Sequence, residues 1–223
     1  MQNKLDSAKI IKIISIIIFV LLAFYCILFK FTSFKLAFIT IKQDLFALAF
    51  AKAISGVILI FVIDLIEKLF RTQIPNFIKI SYYLFLLGSI LYGEFFLYYE
   101  KIPIWDTILH AFSGTLLTML GYILFINHFK LTKITNYSLA LVAIISIFFA
   151  TFIGVLWEIY EFSIDYIFAT NMQSTYSYLG EAFYGYEAVA DTMKDLIINL
   201  TGSLVGTAII YLILSKKGTD SLE

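Results

Sequence analysis

The apolar positions of this 223-residue chain are gathered into long runs that neither alternate nor fall on one helical stripe. Six runs stand out, at about 10–29, 45–66, 80–99, 105–127, 139–162 and 191–214. Each approaches the ~20 residues an α-helix needs to cross ~30 Å of hydrocarbon. A closed β-barrel would need strands of ~10 residues alternating apolar and polar, and a run such as Ile13 to Phe29 does not alternate. The pattern predicts an all-α, polytopic transmembrane helical bundle of about six spans, forming a single integral membrane domain over 1–223. Connectors 67–79 and 128–138 are short, and Pro75 and Pro103 precede spans three and four, where proline is tolerated near a helix start.

Polar positions break this pattern in three places. Asp106 and His110 are four apart; Glu158, Glu161 and Asp165 are three and four apart; Asp191, Asp195 and Asn199 are four and four apart. Those steps bring helical side chains round to one face. An ionisable group inside a span is costly and is by default a functional-site hypothesis. Spans four and six begin, and span five ends, on one side of the bilayer, so the three faces converge on one layer. Glu94, late in span three, reaches the same depth. Asp64 and Glu67 read as boundary charges beside Lys68 and Arg71, and His128 as an interfacial residue.

Composition carries the membrane reading further. The chain is 61% hydrophobic and 14% charged, with a mean hydropathy of +0.92, against about 45–50% and about 25% for soluble domains. Lipid must be part of its solvent. Basic residues orient the bundle: ten Lys and Arg fall in one set of connecting segments and five in the other. The richer side is the cytoplasm, which predicts a multi-pass protein of the cell membrane with both termini inside. The first span has lysines ahead of it and no small-x-small cleavage site after it, the pattern of an uncleaved signal anchor. Net charge is +0, giving no electrostatic case for nucleic acid. The lone Cys26 lies within span one and allows no internal disulfide.

Segment 166–190 is long for a connector and rich in tyrosine. It predicts an extracytoplasmic interfacial flap over the acidic layer, or an aromatic belt without a gating role, since tyrosines favour the headgroup level. Gly202 and Gly206 form Gly-x-x-x-Gly in span six, and Gly114 and Gly121 lie in span four. Small surfaces of this kind let helices approach closely, close enough here for His110 to meet Asp191 or Asp195.

Carboxylates that close must be protonated, paired or neutralised. Lys101, Lys194 and His110 are too few to balance them. A divalent cation is one resolution, held by Glu158, Glu161, Asp191 and Asp195. Oxygen-rich ligation with at most one imidazole suits Mg²⁺, Mn²⁺ or Ca²⁺ in preference to Zn²⁺. In that reading Asp106 orients His110, and His110 is the acid–base group. A structural hydrogen-bonded network is a second resolution, and ion or proton translocation a third. No His-Glu-x-x-His motif marks a zincin, Ser113-Gly114 is misplaced for a serine nucleophile with His110, and no basic cluster grips phosphate.

The segment Trp105-Asp106-Thr107-Ile108-Leu109-His110-Ala111-Phe112-Ser113-Gly114 resembles a motif of VanZ-like bacterial membrane proteins. Gly154 to Phe162, followed by Asn171-Met172-Gln173, is similar to the related YjdF-like branch, and Asp191 to Gly202 resembles an Asp-x-x-x-Asn-x-x-Gly ending shared by both. Thr107 stands where the VanZ pattern has a basic residue. The resemblance, covering about 100–206, implies a multi-pass envelope protein of a group with members linked to glycopeptide tolerance, and supplies no reaction. Two functions are therefore expected. One is a metal-dependent enzyme acting on a lipid or lipid-linked envelope molecule at the outer leaflet. The alternative is a non-catalytic envelope protein that binds or moves an amphiphile, its acidic layer structural.

Overall fold

The computed structural model describes residues 6–32, 36, 39, 46–128, 136–177 and 180–219, with backbone alone for Asn136 and for 214–219. Among these, the regular elements are helices: α1 (Ser7–Thr32), α2 (Phe46–Ile60), α3 (Val62–Phe70), α4 (Asn76–Leu86), α5 (Tyr98–Lys101), α6 (Trp105–His128), α7 (Asn136–Phe168) and α8 (Tyr186–Thr219). A π-helical stretch, Leu87–Phe95, continues α4. Five stretches are long and apolar enough to cross a membrane: Ser7–Thr32, Phe46–Phe70, Trp105–His128, Tyr137–Phe168 and Tyr186–Ile213. Their outer faces are apolar and exposed, with Leu21 at 59%, Phe148 at 68% and Ile197 at 59%. Such faces are suited to lipid and unsuited to water.

The remaining expected span, 80–99, coincides with α4 and its π continuation, and its local structure departs from a plain α-helix. Eleven α-helical residues give way to nine in the π conformation, closed by the Phe96 N–H on the Leu91 carbonyl at 3.0 Å. The Trp105 indole N–H donates to the Gly88 carbonyl at 3.3 Å, inside the π stretch, and the chain then turns through left-handed Leu97 (φ 60°).

The chain divides into two compact units, Met1–Leu109 and His110–Glu223. The division falls just after the first turn of α6, so Asp106 is carried on the same continuous helix as His110. In the first unit α1 packs along α2 and α4. Buried Phe19 lies against Gly56, where a Cβ would come within 2.9 Å of its ring. Asp64 pairs with Lys12 of α1. Glu67 pairs with Lys79 at 2.8 Å and accepts the Ile74 N–H at 2.7 Å. These partners differ from the expected Lys68 and Arg71; Arg71 has left the helix with φ 49°. Glu94, expected at the acidic layer, pairs with Lys52 at 2.6 Å within the first unit.

The second unit consists of α6 from His110 onward, α7 and α8. At one end, Tyr122, Val142 and Ile210 form an apolar core with Met119, Phe125, Ile126 and Leu139 against it. At the other end lie His110, the end of α7 and the start of α8.

Candidate functional site

Glycines set how closely α6 and α8 approach. A Cβ on Gly114 would overlap the backbone carbonyl of Asn199, and one on Gly202 would overlap that of Ala111. On Gly206 it would lie 2.7 Å from the Thr115 carbonyl oxygen. The Thr115 hydroxyl donates across the gap to the Gly202 carbonyl at 2.9 Å. Small residues let backbones meet in this way, and interhelical hydrogen bonds then hold the pair. The expectation that Gly202 and Gly206 draw the two spans together is met in the second unit.

This approach brings polar side chains of α6 and α8 together two turns higher. His110 and Asp195 are buried, and Asp106 is half-buried. Ligand atoms of Asp106, His110 and Asp195 all lie within 4.8 Å of one another. One ion at the ~2.0–2.2 Å typical of nitrogen and oxygen ligands would require separations no greater than about 4.4 Å. The upper bound on the separations here is close to that limit. Glu158 of α7 is also buried, its Oε1 3.9 Å from His110 Nε2. That is too long for a hydrogen bond, but within ion-pair range if the imidazole is protonated.

A second layer holds these groups. Asn199, 1% exposed, lies between α6 and α7. Its amide fills the space that a side chain on Gly154 would occupy, where a Cβ would come 2.8 Å from Oδ1. Its Nδ2 reaches the Ser113 hydroxyl at 3.5 Å, and Ser113 donates to the His110 carbonyl at 3.0 Å. The Gln173 amide donates to both the Glu158 carbonyl and its Oε2, each at 3.2 Å. Gln173 is itself placed by Asp165, which accepts the Met172 N–H at 2.8 Å, the Gln173 N–H at 2.9 Å and the Thr170 hydroxyl at 2.5 Å. The chain after α7 is thus clasped back onto the site, with left-handed backbone at Ala169 (φ 50°) and Ser174 (φ 47°).

Of the residues singled out by spacing, Asp106, His110 and Asp195 come together with Glu158 beside them. Glu161 is buried but accepts the indole N–H of Trp157, on its own helix, at 2.8 Å. Asp191 lines an open cleft one turn before Asp195. Spacing does not select two of the supporting residues, Ser113 and Gln173. The sequence offers Ser113 only as a misplaced nucleophile, and Gln173 only as the last residue of the Asn-Met-Gln triplet. That triplet is the available signal for Gln173.

Residues 14–216 match the model of a family described as "Predicted membrane protein (DUF2238)". The chain belongs to this family. The match extends well beyond the segment carrying the three motifs, into α1 and α2. An uncharacterized protein of Thermotoga maritima is 30% identical over 148 residues, 65% of this chain and 67% of that protein. No solved structure matches the chain. Family and apolar helices agree on a membrane protein with several membrane-crossing helices, embedded in a lipid bilayer, and the structure holds a buried acidic and imidazole group.

Proposed function

We propose that the Asp106–His110–Asp195 group binds a divalent cation, in an enzyme of the bacterial cell envelope acting on a lipid or lipid-linked molecule. The observation that carries this reading is the mutual approach of three ligand atoms to within 4.8 Å inside an apolar bundle. Two carboxylates and one imidazole suit Mn²⁺ or Mg²⁺, with Ca²⁺ and Zn²⁺ the comparisons to make. In this reading the roles differ from those suggested by spacing. His110 becomes a ligand, Glu158 the proton-transfer group, and Gln173 the residue that aims Glu158. Glu161 and Asp191 fall outside the first ring of ligands. A bound cation would polarise a phosphoryl or acyl oxygen.

In this reading the chain has six spans, Asn76–Phe95 being the sixth, and both termini lie in the cytoplasm. The site then opens to the outer leaflet. The three motif segments also favour kinship with the VanZ-like and YjdF-like proteins. Only a real site stabilises the fold by mass action, about 2.7 kcal/mol at a hundredfold excess over Kd. Thermal unfolding in detergent should rise with Mn²⁺ or Mg²⁺, and Asp195→Asn should abolish the rise. An equal rise in Asp195→Asn, or none in the native protein, overturns the metal assignment.

The alternative is a non-catalytic envelope protein that binds or moves an amphiphile, its polar layer structural. The interhelical bond from Thr115 to Gly202, and the bond from Gln173 in the segment after α7 back to Glu158, favour it. It is the reading that survives if no cation changes the unfolding temperature.

A further inference from the structure

Beside the buried group, the clasped chain and the first turns of α8 border an open cleft of about 370 Å³. It is lined by Ser174, Phe183, Glu187, Ala190, Asp191 and Lys194. That volume is in the range of small-ligand sites. Glu187, Asp191 and Lys194 are separated by four and three residues, so they share one face of α8. Asp195 lies four beyond Asp191, and the same face therefore continues inward to the buried group, about 6 Å further along the helix.

The cleft has a mixed charge: two carboxylates and one ammonium. An anionic ligand would be repelled by both carboxylates, and a purely cationic one by Lys194. A zwitterion with ammonium and phosphate ends answers all three groups. An ammonium with N–H donors fits two carboxylates better than a quaternary amine, which has none to give. Lys194 and the Ser174 hydroxyl are suited to phosphate oxygens. Phe183 and Ala190 offer an apolar wall to the carbon skeleton beyond the phosphate. Tyr184 and Tyr186, next in sequence to the lining residues Phe183 and Glu187, are 81% and 84% exposed, which suits the headgroup level of a bilayer and a lipid in preference to a soluble phosphoamine.

We infer that this cleft is the headgroup subsite of the proposed site, and that its ligand is a phospholipid bearing a primary amine on a phosphodiester. The inference rests on the proposed function for its catalytic meaning, but its binding is measurable alone.

The test uses the full chain in maltoside micelles and a phosphatidylethanolamine carrying a fluorophore on one acyl chain. Unlabelled phosphatidylethanolamine should displace this probe at roughly tenfold lower concentration than phosphatidylcholine or phosphatidylglycerol, about 1.4 kcal/mol. Asp191→Asn and Lys194→Gln should each erase that preference while keeping the Mn²⁺ response, which also reports that they are folded. Equal displacement by the three lipids overturns the inference, as does an intact preference in both variants. Displacement by soluble phosphoethanolamine as effective as by the lipid overturns the lipid assignment. Asp195→Asn should lose the Mn²⁺ response and keep the lipid preference. Loss of the metal reading and loss of the headgroup reading are thus seen separately.

Discussion

Gly114, Gly202 and Gly206 have no side chain because a neighbouring backbone carbonyl occupies that space. Carbonyls of a packed helix cannot swing aside, so Gly114→Ala and Gly202→Ala should each cost about 1–3 kcal/mol through forced separation, measured as thermal unfolding in detergent. Gly154→Ala should cost less, because the atoms it would meet belong to the Asn199 amide, which can rotate. Glu158 and Asp195 face one histidine from different helices. Glu158→Gln/Asp195→Asn should therefore lose less stability than the two single changes added together. The coupling should fall in the range of about 0.5–3 kcal/mol seen for residues of one network. Additive losses would mean that the two carboxylates stand in separate environments.

At the scale of elements, α7 is the least self-sufficient part of the site. Its last turns carry Glu158, Glu161 and Asp165, and each side chain is taken up by a different partner. Hydrogen bonds to an ionised carboxylate contribute about 1.5–3 kcal/mol each. Asp165→Ala should thus release the chain beyond α7, and limited proteolysis should cut within 169–177 faster than in the native protein. Gln173→Ala leaves the Asp165 clasp in place and removes only the hold on Glu158. It should leave proteolysis unchanged and cost about 1–3 kcal/mol of stability, read as a lower unfolding temperature in detergent, through the loss of its bonds to Glu158. The two substitutions separate the fold of the segment from its hold on the site. By the ~1.5 Å rise per residue, α7 and α8 each run about 50 Å, longer than a bilayer core. Their clasped ends can stand in the headgroup zone.

For the whole molecule, the orientation read from basic residues is open to direct measurement. With Cys26→Ser as background, a cysteine replacing Ser177 should label from outside intact cells and one replacing Lys68 should not; the reverse would turn the site towards the cytoplasm. The positions of the five long apolar helices and the shared faces were legible because hydrophobic length and the 3.6-residue period are local properties. Asp106 with His110, and Asp195 with Asn199, follow from that period alone. Which of Glu158 and Glu161 turns to His110 was not legible, since both fall on one face and Trp157 decides it by capturing Glu161. Lys52 with Glu94 and Lys12 with Asp64 join distant helices, and no spacing rule pairs them. Nothing in the composition of Leu87–Phe95 announces a π-helix; two of its anchors are Lys52, paired with Glu94, and the Trp105 indole, seventeen residues on from Gly88. The contact of backbone on backbone between α6 and α8 has one more consequence. Two helices meshed at their carbonyls tilt together when a bilayer thins or its lateral pressure changes. The spacing of His110 and Asp195 should therefore be the same in short-chain and long-chain lipids, and adaptation should fall on the seat of α7.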